Sequence, residues 1–412
     1  MSTIPLLRDK HIVIGVTGGI SAYKVADLCS QLVRAGAGVD VIMTAAATKF
    51  VGPITFQALT HRPVVTEMFS LLQETEIGHV TLGKRADLMI IAPATANTLA
   101  KLAHGLSDNM LTTTALACRG SILLAPAMET GMWENPATRT NLDILQTRGM
   151  HLVGPVEGRL ASGAAGVGRM TEPDIIFDAS RWLLSRQGPL TGSRVVISAG
   201  GTHESLDPVR FIGNRSSGKM GYALAYAARD RGADVILIHG PTSLDTLYGV
   251  EDIPVESAEQ MHEAVMESIS AADALIMAAA VADYRPVNIA KHKMKKTADH
   301  LSLDLDRTPD ILASVAKGKK KSRRLKAVIG FAAETESLVE HAREKLTRKG
   351  LDLIVANDVS AGDSGFAVDT NRVTLIDSSE EIKSLPLLTK PEVAEIIIDH
   401  LIDFLSKSGN FD

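Results

Sequence analysis

Several short stretches of this 412-residue chain combine residue types able to do chemistry. TGGISAYK (17–24) follows the apolar run HIVIGV (11–16). Gly18 and Gly19 let the backbone come close to a phosphate, and a helix starting there offers free N–H groups and the positive end of its dipole. Ser21 adds a hydroxyl donor. The GxGxxG spacing of dinucleotide sites is absent, so the loop suits a mononucleotide, although tight Gly turns also follow strands for structural reasons alone. APATANTLAK (92–101) ends a strand at Pro93 and opens a helix with Thr95 and Asn97. LAPAMETGMW (124–133) carries Met128, Glu129, Met132 and Trp133, side chains that also fill cores. His79 stands in IGHVTLGKRADL (77–88), and a lone histidine serves structure as readily as catalysis.

The second half has its own set. GNRSSGK (213–219) has the GxxxxGK spacing of a phosphate-binding loop, but Met220 stands where a metal-binding Ser or Thr belongs, and the stretch begins well past its strand. It is therefore not a standard P-loop, yet its N–H groups at a helix start still suit an anion. AAAVADYRP (278–286) puts Asp283 just past a strand, HKMKK (292–296) gathers Lys293, Lys295 and Lys296, and RTPDIL (307–312) opens a helix after Pro309. Three lysines together counter a triphosphate, or simply line a solvated loop.

Short apolar runs must position these groups. Strands read at 11–16, 39–44, 88–94 and 121–127, with helices at 21–35 and 95–104 between them. Ala22, Val25, Leu28, Cys29 and Leu32 fall on one helical stripe. Strands lacking polar alternation and separated by helices imply a parallel sheet covered on both faces. QGPLTGS (187–193) interrupts the series, which restarts with strands at 194–200, 233–241, 272–280, 326–334 and 351–357, a helix near 218–231 and a helical tail at 391–405. RAGAGVDVIMT (34–44) echoes RDRGADVILIHG (229–240), and ADLMIIAPATAN (86–97) echoes ADALIMAAAVAD (272–283), which implies shared architecture. KGKKKSRRLK (317–326) reads as a solvated loop.

Two domains are expected, 1–190 and 191–412. A net charge of −5 argues against a nucleic-acid binder. Two cysteines, Cys29 and Cys118, argue against a disulfide framework and for a reducing compartment. No signal-peptide layout and no run near the roughly 18 apolar residues of a membrane span is present, so the expectation is a cytoplasmic protein with no membrane partner.

Taken in order, the first set resembles the flavin-containing cysteine decarboxylases over about residues 10–185. The resemblance implies FMN contacts from Gly18, Gly19, Ser21, Thr44, Thr95, Asn97 and Met128, with Asp108 nearby, and a catalytic role for His79. A carboxylate β to a thiol has no electron sink; oxidation to a thioaldehyde creates one, CO2 leaves, and the reduced flavin returns the electrons. Two positions depart from that family. Glu129 replaces the Asn that contacts the substrate carboxylate, and Ser162, in GRLASGAAGVGRM (158–170), replaces the flap cysteine that gives a proton during the final reduction.

SAGGTHESLDPVRFIGNRSSGKMG (198–221), VADYRP, KMKK, TPDI and GFAAET (330–335) resemble the phosphopantothenate–cysteine ligase domain of coenzyme A biosynthesis, across 193–405. Thr308 stands where Asn is common. That resemblance implies CTP and Mg2+ as cofactor and co-substrate, with an acyl-cytidylate formed before cysteine attacks. Lys293 would neutralise charge during activation. Arg210, Asn214 and Ala279 or Ala280 would line the acyl-cytidylate site, and Ala279, Asp283, Lys293, Pro309, Asp310, Ile311, Leu312, Phe331, Lys345 and Lys349 would contact CTP; the Mg2+ ligands stay unassigned. The whole chain resembles the bifunctional proteins that carry both steps. Expected, then, are an α/β fold of two successive Rossmann-like doubly wound domains with mainly parallel sheets, flavodoxin-like first, and homo-oligomers built from trimeric flavin and dimeric ligase domains. Glu129 and Ser162 keep two other readings open: a ligase with an impaired flavin domain, and a flavin-binding regulatory protein.

Overall fold

The computed structural model describes residues 5–68, 78–295, 301–319, 324–334, 338–358, 368–379 and 381–407. The chain divides into two compact units, Met1–Ser185 and Arg186–Asp412, a few residues before the boundary expected at 190/191.

In the first unit a parallel sheet runs in the order β3-β2-β1-β4-β5-β6. Its strands are β1 (His11–Val16), β2 (Gly38–Met43), β3 (Val64–Val65), β4 (Leu88–Ala94), β5 (Ser121–Pro126) and β6 (His151–Leu152). Every residue of β4 is buried, as an unbroken apolar run dictates when helices cover both faces. The helices are α1 (Ala22–Arg34), α2 (Pro53–Thr60), α3 (Gly78–Arg85), α4 (Ala96–His104), α5 (Met110–Ala117), α6 (Thr130–Trp133), α7 (Pro136–Thr147) and α8 (Pro173–Ser185). The stripe expected on α1 is buried throughout. A hairpin of β7 (Val156–Arg159) and β8 (Ala165–Arg169) stands apart from the sheet. From β1 the chain moves outward through β2 and β3, then crosses back to β4. The strand ends on either side of that crossing form the crevice where open α/β sheets bind ligands.

The second unit repeats the plan. Its sheet runs β13-β12-β9-β14-β17-β18-β20-β21, from β9 (Arg194–Ala199), β12 (Asp234–His239), β13 (Glu251–Pro254), β14 (Ala274–Met277), β17 (Ala327–Glu334), β18 (Leu353–Asp358), β20 (Val373–Asp377) and β21 (Ile382–Ser384). The switch point lies between β9 and β14. Strands up to β18 are parallel, and β20 and β21 close the edge antiparallel, which periodicity in the sequence did not reveal. Small two-stranded pairs complete it: β10 (His203–Ser205) with β11 (Phe211–Gly213), β15 (Tyr284–Pro286) with β16 (Leu305–Arg307), and β19 (Thr370–Asn371) with β22 (Leu388–Thr389). One face of the sheet packs against α9 (Lys219–Arg229) and α13 (Lys390–Lys407), the other against α10 (Ala258–Ser268), α11 (Ile311–Lys319) and α12 (Leu338–Lys349). The echoing segments of the two halves occupy equivalent places, β2 with β12 and β4 with β14. Of the run 317–326, Lys317 to Lys319 extend α11, and 320–323 lie outside the described residues, as do Lys296 and Thr335.

Candidate active sites

The carboxyl ends of β2, β1, β4 and β5 bring Thr44, Gly18, Gly19, Ser21, Thr95, Asn97 and Met128 along one rim of the first sheet. Gly18 is obligatory there, because an added Cβ would lie 2.4 Å from the Ala46 Cβ in the loop after β2. Gly19 is open to contact at 3.4 Å from the Pro93 Cγ. Ser21 occupies the cap position of α1 without a side-chain cap bond, so its hydroxyl remains available to a ligand at that helix end. One residue passed over in the sequence holds the crossing together. Thr17, 1% exposed, donates its hydroxyl to the Pro93 carbonyl and accepts the Thr95 N–H at 3.3 Å. Its place as the last residue before the glycine pair was the available signal. Thr95 in turn caps α4, accepting the Thr98 N–H.

His79 lies in the first turn of α3, half-buried, on a helix packed against α5. Asp108 is exposed and bound to Lys101 Nζ at 2.6 Å, which holds its carboxyl below the usual range. The β7–β8 hairpin folds onto the segment after β5. Met128 donates its N–H to the Gly168 carbonyl at 2.9 Å, and a Cβ on Gly168, at φ +155°, would meet the Met128 carbonyl oxygen at 2.2 Å. That docking joins the two positions that depart from the decarboxylase pattern: Ser162 Oγ donates to Glu129 Oε2 at 3.1 Å. Neither cysteine lies in this hairpin. Cys29 is in the core, where burial pushes its thiol up to about 12, and burial also raises Cys118.

In the second unit a cavity of about 820 Å³ opens beside the switch point. Its lining includes Asn214, Ala279, Ala280, Asp283, Pro309, Asp310, Ile311, Leu312, Phe331, Lys345 and Lys349, drawn from five separate parts of the chain. The segment after β14 is zipped to the end of β9: Ala279 N–H donates to Ser198 Oγ, Ala282 N–H to Thr202 Oγ1, and Ala280 N–H to the Gly200 carbonyl. Asn214 Nδ2 donates to the carbonyls of Ala280 and Val281 at 3.3 and 3.0 Å, fixing its amide across that segment. Thr308 donates its hydroxyl to the Ala282 carbonyl and its N–H to that of Asp283, holding the acid's backbone in place. Lys345 and Lys349 share a face of α12; Lys345 donates to the Phe331 carbonyl at 2.8 Å and Lys349 pairs with Asp310. Burial opposes ionisation of Asp310, and Lys349 overrides it, leaving the carboxyl below its ordinary value.

The same cavity is lined by Ser216 to Lys219 of the anion-suited loop with Met220, and by groups sequence reasoning missed: Asn357, Asn371 and Lys390. Asn357 ends an apolar run, a legible signal; Asn371 and Lys390 lie beyond the parallel series and had none. Lys390 is 4% exposed, and burial together with the Lys219 ammonium lowers its pKa. Arg210 and Lys293 are absent from the lining. Arg210 Nη2 instead donates to the carbonyl of Met294, the residue after Lys293, at 2.9 Å.

Residues 5–184 match the family model described as Flavoprotein, and residues 190–405 match DFP, the DNA/pantothenate metabolism flavoprotein C-terminal domain. The coenzyme A biosynthesis bifunctional protein CoaBC of Bacillus subtilis (strain 168) is 45% identical over 407 residues, covering 98% of this chain and 99% of the relative. That of Vibrio cholerae serotype O1 is 45% identical over 399 residues, covering 96% and 98%. The crystal structure of the C-terminal domain of a coenzyme A biosynthesis bifunctional protein CoaBC is 42% identical, covers 54% of this chain and 100% of that one, and superposes with a TM-score of 0.46. With both family models matched in order and the identity sustained over nearly the full length, this chain belongs to the family of coenzyme A biosynthesis bifunctional proteins, CoaBC.

Proposed function

We propose that the second unit joins cysteine to 4′-phosphopantothenate using CTP and Mg2+, and that the first unit decarboxylates the product to 4′-phosphopantetheine with FMN. The observation that carries the ligase reading is the cavity of the second unit. Every residue expected to contact CTP lines it except Lys293. Its volume, about 820 Å³, lies within the range of small-molecule and cofactor sites. Asp283 and Asp310 supply carboxylates, and Lys345 and Lys349 supply cations on one helical face, where a triphosphate would exchange for the Phe331 carbonyl and Asp310.

A carboxylate is a poor electrophile. Forming the acyl-cytidylate releases pyrophosphate and leaves CMP as the group that the cysteine amine displaces. Lys293 neutralises charge as the anhydride forms, and Asn214, braced on the Ala280 and Val281 carbonyls, orients it. Phosphopantothenate, cysteine, CTP and Mg2+ supplied together should yield pyrophosphate, CMP and a product shortened by CO2, all identified by mass. Lys293→Gln should cut pyrophosphate release by about 100- to 1000-fold; Asn214→Asp should let the cytidylate accumulate. Replacing CTP by ATP tests the nucleotide, and normal turnover without CTP defeats the assignment.

The rim of the first sheet fits a flavin mononucleotide. A loop closed to any side chain at Gly18 and a helix start at Ser21 without a side-chain cap bond suit the phosphate. Thr44, Thr95, Asn97 and Met128 flank the space for the ring, with Asp108 at its margin. Bound FMN supplies a reversible two-electron oxidation, which gives a carboxylate β to a thiol its missing electron sink. His79 serves as the acid–base group. At the hairpin, Ser162 and Glu129 form a hydroxyl–carboxylate pair in place of a thiol. The exposed apolar residues Ile20, Tyr23, Phe50 and Ile54 near this rim support a trimer completing the flavin site, and Val209, Phe211, Val287 and Ile289 support dimers of the second unit. Small-molecule substrates and two free cysteines support a cytoplasmic protein.

A further inference from the structure

Asp207 sits in the turn between β10 and β11 with its side chain fully buried, although Val209 and Phe211 beside it are exposed. One carboxylate oxygen closes its own turn, accepting the N–H groups of Val209 and Arg210, each at 2.9 Å. The turn is already secured by the Leu206 N–H on the Arg210 carbonyl, also at 2.9 Å. The second oxygen reaches further. It accepts Arg210 Nε and Nη2 at 3.0 and 2.6 Å and the backbone N–H of Met294 at 3.1 Å. Arg210 Nη2 then donates to the Met294 carbonyl, so both polar groups of that peptide position are captured by the Asp207–Arg210 pair. A second pin lies alongside, where the Ala290 N–H donates to the Leu206 carbonyl at 3.0 Å.

The segment so held has no helix or strand of its own over residues 291–295. Backbone without secondary structure keeps its place only through such external bonds. Lys293 lies between the two pins, directly before the Met294 one, with Lys291 and His292 preceding it. A long ammonium side chain can serve a developing charge only if its backbone is fixed, because displacement by about 1 Å costs roughly 100-fold in rate. We propose that Asp207 is a positioning residue for Lys293 in the carboxylate-activating half-reaction. It acts through the Met294 backbone and through Arg210, and it touches no substrate. The inference rests on the role given above to Lys293.

The test is a double-mutant cycle in the full chain, read as pyrophosphate release from phosphopantothenate, CTP and Mg2+. Asp207→Asn keeps the size of the side chain and removes its charge. It is expected to lower kcat by about 10- to 100-fold, with KM for CTP within about twofold. In the Lys293→Gln background the same change should have no further effect, because the group being positioned is already gone. An equal loss in both backgrounds, or an unchanged kcat, overturns the proposal. Met294→Gly loosens the tether from its other end and leaves the 206–210 turn whole. It should lower kcat in the same sense even if Asp207→Asn fails to fold, and an unaffected kcat in that variant counts against the tether. Full pyrophosphate release by Lys293→Gln alone overturns the role of Lys293 and this inference with it, whereas a silent Asp207→Asn beside an inactive Lys293→Gln overturns only the tether.

Discussion

Thr17 ties two strand ends together with one hydroxyl, donating to Pro93 and accepting from Thr95. Thr17→Val keeps the shape and removes both bonds, leaving the Thr95 N–H without that acceptor. The expected cost is about 1–3 kcal/mol of stability in thermal unfolding, with weaker FMN retention on gel filtration. At the hairpin, Ser162→Cys restores a thiol where the flap pattern of the decarboxylases has one. A thiol is a far better acid than a hydroxyl, so the ratio of saturated thiol to enethiol in the products, read by mass, should rise in the variant. An unchanged ratio would show that the Ser162–Glu129 pair already delivers the proton. Asp207 gives a pH signature. The Arg210 hydrogen bonds hold its carboxyl well below the ordinary value of about 3.9. Its contribution is therefore complete above that value and is lost as the pH falls through the lower, folded-state value. Acid unfolding below about pH 4 should be blunted in Asp207→Asn relative to the parent chain, while the two stay parallel from pH 5 to 8.

The β7–β8 hairpin lies outside the sheet, and its seat depends on backbone approach. Gly168 places its carbonyl on the Met128 N–H, at a φ and a spacing that exclude a side chain. Gly168→Ala should cost about 1–3 kcal/mol and unseat the hairpin. Trypsin should then cleave at Arg159 faster than in the parent chain, while the circular dichroism of the sheet stays unchanged. The helix lining the cavity of the second unit is of a different kind. α12 turns Lys345 and Lys349 to one side because they are one helical turn apart, while Ala342 and Leu346 anchor its other side in the core.

The molecule as a whole is a bifunctional enzyme of coenzyme A biosynthesis, with a decarboxylase flavoprotein unit followed by a ligase unit. The first unit has a core on its own sheet, and the second has one core on each face of its sheet. Units with separate cores fold separately. Chains cut between Ser185 and Arg186 should each unfold cooperatively, the first retaining flavin colour and the second releasing pyrophosphate at an undiminished rate. Loss of folding in either piece would show that the units depend on each other.

Much of this was legible along the chain. Strands such as 88–94 and the buried stripe of α1 follow from apolar periodicity, a local property that fixes both element and facing. The carboxyl-end glycines and Asp283 were equally legible, because strand ends mark ligand crevices in open α/β sheets, whereas the α12 lysines entered only through the resemblance to the ligase domain. What periodicity could not express is which distant residues meet. The pairing of Ser162 with Glu129, the capture of the Lys293 segment by Asp207, and the arrival of Asn371 and Lys390 in the cavity of the second unit join positions far apart in sequence. Hydrogen bonds between irregular segments leave no repeating pattern in the residues that make them, so only the folded chain decides them.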